Sequence, residues 1–197
     1  MKPTFTLLAA AALSLALLPI TQAEKANPAG GLAALVGSDL VDAEGNAVSI
    51  DKLEGKVVGL YFSAHWCPPC RKFTPKLVQY HGENKDNFEV VFVSSDRDAA
   101  AHKGYMKEAN MPWYTIKYGS DTVKALKEKY KITGIPALVM LNSSGKTISR
   151  DGRTMVSKNI SAKKLSSAKV ETEEYDCGKC NKVHTREKVV YATDGVK

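Results

Sequence analysis

The chain has 197 residues, 44% of them hydrophobic and 25% charged, with a formal net charge of +7. That composition excludes a wholly disordered chain, a collagen-like repeat and a multi-span membrane protein, and the length suits one domain with an extension. Four cysteines are too few to build a disulfide-held miniprotein. They fall as two Cys-x-x-Cys pairs, Cys67/Cys70 and Cys177/Cys180, a spacing that points to chemistry before structure.

Residues 1–23 read as a secretory signal. Lys2 gives a positive start, Phe5 to Leu18 is a nearly unbroken apolar run of 14 residues, and Thr21-Gln22-Ala23 offers small residues to a peptidase. A membrane-spanning helix needs about 20 apolar residues, so cleavage after Ala23 is preferred to a retained anchor. The mature chain then starts at Glu24, in an oxidising compartment, periplasmic or extracellular, with no stable membrane insertion.

After a linker over residues 24–36, Asp42-Ala43-Glu44-Gly45-Asn46 predicts a turn between short strands. Val57 to Phe62 and Phe88 to Val93 are short apolar runs rich in β-formers, as buried strands require. Cys67 to about Gly82, Asp98 to Asn110 and Asp121 to Lys131 read as helices. Ala137 to Leu141, a Ser143-Ser144-Gly145 turn and Lys146 to Arg150 make a hairpin. Strands alternating with helices predict an α/β sandwich around a central mixed sheet. From Ser143 onward 12 basic residues face 7 acidic ones, but Glu171, Glu173, Glu174 and Asp176 are interspersed and no stacking aromatics accompany the lysines. A solvated basic surface is the reading, and no nucleic-acid partner is expected.

Cys67 stands between a predicted strand and a predicted helix. A helix N-terminus favours a thiolate through its unsatisfied N–H groups. The i, i+3 spacing brings Cys70 within reach of Cys67, as disulfide exchange requires: one thiolate attacks and the second resolves the mixed disulfide. Cys67, at the exposed start, is assigned as attacker and Cys70 as resolver. Pro68 and Pro69 suit a first helical turn but remove two N–H donors, which implies a less oxidising pair.

Trp66-Cys67-Pro68-Pro69-Cys70 after a strand resembles the thioredoxin superfamily. Tyr61-Phe62-Ser63-Ala64, Arg71, Phe73-Thr74-Pro75, Val93-Ser94-Ser95-Asp96-Arg97 and Met111-Pro112-Trp113 bring it closer to tryparedoxins and nucleoredoxins. The resemblance spans roughly Gly37 to Arg150. It implies a thioredoxin-like three-layer sandwich over residues 37–156, followed by a basic extension over 157–197. It also implies a kink proline at Pro75, and a cis-proline at Pro136 whose preceding residue, Ile135, offers its backbone to a substrate chain. The 69-residue gap from Cys67 to Pro136 fits the longer tryparedoxin-like and TlpA-like insert. One departure stands out: thioredoxins carry a buried aspartate six residues before the first cysteine, and here that position is Tyr61. The proton acceptor for Cys70 is thereby left open.

Among other residues, Trp66 is read as part of a docking surface with Ile135 and Pro136. His65 is either an imidazolium neighbour of the thiolate or a plain loop histidine, the second preferred. Arg71 reads as a solvated helix charge, Trp113 as a packing residue, and His81 and His102 receive no role. In the extension, Cys177, Cys180 and His184 admit a local disulfide or dithiol, an incomplete zinc site, or a second redox pair; the first is preferred, since structural zinc wants four ligands.

The expected protein is an exported thiol–disulfide oxidoreductase with no cofactor and no metal at the Cys67–Cys70 site. It reduces protein disulfides with electrons from a donor the sequence does not identify. Its rivals are a disulfide oxidase or isomerase and a non-catalytic binding module. Mass spectrometry of the exported protein should give a mature chain beginning at Glu24; a membrane-bound form retaining Met1 would establish the anchor.

Overall fold

The structure, a computed structural model, describes residues 31–176 and 183–190. In chain order the elements are α1 (Leu32–Val36), β1 (Leu40–Val41), β2 (Val57–Ser63), α2 (Pro68–Asn84), β3 (Phe88–Ser94), α3 (Ala99–Glu108), β4 (Tyr114–Ile116) and α4 (Asp121–Lys129). There follow β5 (Ala137–Leu141), β6 (Thr147–Ser149), α5 (Gly152–Ser157), α6 (Ala162–Ser166), β7 (Lys169–Asp176) and β8 (Val183–Val190).

Strands β1 to β6 form one mixed sheet in the order β1-β4-β3-β2-β5-β6. The central pair β2 and β3 is parallel and every one of its residues is buried, which is why both read as mainly apolar runs, with Glu89 the one charged residue, rather than as alternating ones. Alternation is still at work beneath that run. Val57 and Tyr61 join a core with Phe73 and Leu77 of α2, Tyr105 of α3, Val156 of α5 and Leu165 of α6. Val58, Leu60 and Phe62 join the opposite core with Leu32 and Val36 of α1 and Leu126 of α4. Helices on both faces make the expected three-layer α/β sandwich. Gly59 marks where the sheet admits no side chain, because a Cβ there would lie 2.9 Å from the Phe88 ring.

Two expected boundaries shift. Residues 32–36, assigned to the linker, form α1, and Leu32 and Val36 are buried against the sheet. At the other end, α6 lies inside the segment assigned to the extension. Tyr80 Oη donates to Ile160 O at 2.6 Å, Ala162 N donates to Asn84 Oδ1 at 2.9 Å, and Leu165 is fully buried. Packing against α2 decided this, a long-range effect that lysine-rich composition conceals. Beyond it, β7 and β8 pair antiparallel with Asp176 opposite Val183 and Tyr175 opposite His184. Cys177 and Cys180, like residues 1–23 with the expected signal, lie outside the described residues. No helix among the described residues is long and apolar enough to cross a membrane.

His81 and His102, which received no role from sequence, each join a helix to a strand. Near the starting ends of β2 and β3, His81 Nε2 lies 2.8 Å from Glu89 Oε1 and Lys56 Nζ lies 3.4 Å from Glu89 Oε2. Burial alone would raise the Glu89 pKa, but the hydrogen bond and charge of His81, with Val90 N–H and Lys56, lower it. His102 Nε2 meets Thr115 Oγ1 at 2.8 Å, joining α3 to β4. Burial pushes its pKa below the ordinary 6.5, against the opposing pull of Asp96. The unfolded chain therefore binds the extra proton, and the stability His102 contributes is complete above pH 6.5 and lost as pH falls below it. Urea unfolding across this range should show a decline on the acid side that His102→Gln makes shallower.

Candidate active site

At the end of β2 the chain leaves the sheet through Ala64, His65 and Trp66, and Cys67 becomes the N-cap of α2. Cys67 N donates to Ala64 O at 3.2 Å and Arg71 N to Cys67 O at 3.1 Å, so the cysteine is fixed from both sides. Cys67 and Cys70 are joined in a disulfide, with Cα atoms 5.2 Å apart. Pro68 and Pro69 occupy the first two helical positions, which leaves Cys70 N as the first amide able to reach Cys67 Sγ, at 3.4 Å. Pro75 lies inside the same helix, as expected. Across the site Cys67 Sγ is 3.8 Å from Ile135 O, and the Ile135–Pro136 peptide is cis, as the resemblance implied.

The expected difference in exposure is smaller than the sequence suggests. Cys67 is 4% exposed and Cys70 0%, so Cys67 is the more accessible residue of the pair but is recessed rather than on the surface. Ala64 and Ile135 pack against the pair.

Tyr61 answers part of the question left by the missing aspartate. Its hydroxyl lies 2.9 Å from Thr74 Oγ1 and accepts from Ser63 Oγ at 3.0 Å. Tyr105 Oη lies 2.6 Å from Thr74 Oγ1 and 3.3 Å from Ser63 Oγ. Thr74 Oγ1 also donates to the Cys70 carbonyl at 3.0 Å. All four side chains are buried. Burial drives the Tyr61 phenol well above its ordinary pKa, outweighing its bonds to Ser63 and Thr74. Where a thioredoxin holds a carboxylate, this chain holds a neutral hydroxyl cluster, mutually satisfied and anchored to the backbone of the second cysteine.

The loop before Cys67 is held by β3. The Asp96 carboxylate accepts His65 N–H at 2.7 Å through Oδ1 and the Ser94 hydroxyl at 2.7 Å through Oδ2. Trp66 Nε1 donates to Ser95 O at 3.0 Å, while the indole is 52% exposed beside the disulfide. The His65 side chain turns to α3, with Nε2 3.0 Å from Glu108 Oε2, so it behaves as a loop histidine. Arg71 is exposed on α2 and Trp113 is buried with its ring edge-on to Tyr61. On the far side Arg153 Nη1 donates to Pro136 O at 3.2 Å and its guanidinium lies over Phe73.

Cys67, Cys70, Trp66, Ile135 and Pro136 thus meet at one end of the sheet. Asp96 and Arg153 join them unannounced, because their partners lie 31 and 17 residues away. Among the described residues no group of three or more His, Cys, Asp or Glu is placed to hold a metal ion.

A β-strand, a Cys-x-x-Cys N-cap and an opposing cis-proline define a thioredoxin-fold redox protein. The Thioredoxin-like family model matches residues 55–147. A thioredoxin from Wuchereria bancrofti is 44% identical, with a TM-score of 0.59 over 68% of this chain and 94% of its own. Tryparedoxin II from C. fasciculata is 34% identical, with a TM-score of 0.62 over 66% of this chain and 88% of its own. Probable nucleoredoxin 3 of Oryza sativa subsp. japonica is 42% identical over 123 residues, 60% of this chain but 26% of that protein. The chain belongs to the thioredoxin superfamily, in its tryparedoxin/nucleoredoxin-like branch, and matches about a quarter of the length of that nucleoredoxin.

Asp96 offers the clearest test of how the loop is held. Asp96→Ala removes the acceptor of the half-buried His65 N–H and of the Ser94 hydroxyl and should cost about 1–3 kcal/mol, read by urea or thermal unfolding. Asp96→Asn retains an oxygen acceptor and should cost less.

Proposed function

We propose that the protein is an exported thiol–disulfide oxidoreductase that reduces protein disulfides, with Cys67 as nucleophile and Cys70 as resolving thiol. One observation carries this reading: Cys67 is the more accessible residue of the pair, placed at a helix N-cap and faced by the Ile135 carbonyl. The Cys67 thiolate attacks a substrate disulfide, forms a mixed disulfide and releases one substrate thiolate. Cys70 then loses its proton and attacks Cys67 Sγ, which expels the second substrate thiolate and forms the Cys67–Cys70 bond. The two electrons came from the dithiol, so an external thiol donor must restore it.

The first turn of α2 supports the reductive direction. With Pro68 and Pro69 lacking N–H groups, Cys70 N alone of the first three amides can favour a thiolate on Cys67. A weakly stabilised thiolate makes the reduced form a better electron donor. Trp66, Ile135 and Pro136 surround the recess and supply the docking surface. Export is supported by the composition of residues 1–23, and the intact cysteine pair argues against a purely binding role.

With dithiothreitol as electron source, Cys67→Ser should abolish reduction of a test protein disulfide. Cys70→Ser should also stop turnover while accumulating mixed disulfide through Cys67, visible on non-reducing gels. Equal trapping through either cysteine would sink the assignment of roles.

A further inference from the structure

Two large apolar side chains stand exposed among the described residues, Trp66 at 52% and Tyr118 at 37%. Both are tethered by their polar ends to consecutive carbonyls of one segment. Trp66 Nε1 donates to Ser95 O at 3.0 Å and Tyr118 Oη to Asp96 O at 3.4 Å. An aromatic ring held this way loses little entropy when a partner covers it, which is why tethered Tyr and Trp are common anchors at interfaces. Behind the Ser95–Asp96 backbone, between it and α4, lies a cleft of about 450 Å³ walled by Tyr118 and Val123 and floored by Ser95 and Ser120.

We propose that this cleft is a second docking surface for protein substrates, receiving a large apolar side chain from the polypeptide that flanks the attacked cysteine. The inference rests on the protein-disulfide reading above and extends it from the disulfide recess across Trp66 to α4.

Three features favour a polypeptide. The cleft is linked to the reactive centre through Trp66, which adjoins Cys67 in the chain and whose indole bonds the carbonyl of Ser95, a residue lining the cleft. Charge on the lining is mixed, with Lys124 and Lys127 set against Asp121 and Glu128, and Asp96 already engaged by His65 and Ser94. Such a lining selects neither an anion nor a cation. The Ser120 hydroxyl is buried without a hydrogen-bond partner among the described residues, and so is free for an incoming backbone group. Burial also lowers the Lys127 pKa, as expected where a lysine stem lies along an apolar wall.

The test compares insulin with the small disulfide dithionitrobenzoate, using the full-length protein and dithiothreitol as electron source. In Tyr118→Ala the ratio of kcat/KM on insulin to kcat/KM on the small disulfide should fall about fivefold, through KM. Tyr118→Phe, which keeps the ring, should restore the ratio. Should the alanine variant not fold, Tyr118→Lys keeps an aliphatic stem while removing the aromatic face, and should show the same fall. An unchanged ratio in a folded variant overturns the proposal, as does an equal loss on both disulfides. A wild-type protein inert on insulin but active on the small disulfide removes the protein-substrate reading itself, and this inference with it.

Discussion

The turn from β2 into α2 is the constraint on which the rest of the molecule depends. A buried parallel strand must end, and the chain must reverse within four residues into a helix packed on the same sheet face. Cys67 makes that possible by capping the helix, its N–H on Ala64 O and its sulfur taking the Cys70 N–H. The residue that starts the helix is thus a member of the redox pair. Its geometry is fixed by backbone bonds that any loosening of β2 would break.

Around this turn the structure supplies positions and little charge. The hydroxyls of Tyr61, Ser63, Thr74 and Tyr105 fill the space under Cys70 with neutral donors and acceptors that satisfy one another. A buried carboxylate in that place would have to be paid for in desolvation. The hydroxyl cluster avoids that cost, but it places no carboxylate base beside Cys70. The charged groups near the site are structural: Asp96 holds the loop and Arg153 holds the Pro136 carbonyl.

Much of the fold was legible because its signals are local. Two mainly apolar runs became the central strands, Asp98 capped α3 through Ala101 N–H, and Asp42 closed its turn by accepting three backbone N–H groups. The cysteine pair, the first-turn prolines and Pro136 were likewise readable, since their meaning lies in spacing of a few residues or in a resemblance. The boundaries were not. α1 and α6 are five residues each, too short to stand on propensity, and exist because Leu32, Val36 and Leu165 found cores to fill.

By itself the sequence determined which atoms are reactive and in what order they lie along the chain, because a Cys-Pro-Pro-Cys start to a helix carries its chemistry in covalent spacing and lost N–H donors. Only the tertiary structure decided what surrounds them. His81 finds Glu89, His102 finds Thr115, His65 finds Asp96 and Glu108, and Trp66 and Tyr118 find neighbouring carbonyls of one segment. Two of these pairings join a helix to a strand and the others tie loop residues to partners far apart in the chain, so each partner is set by how the elements pack.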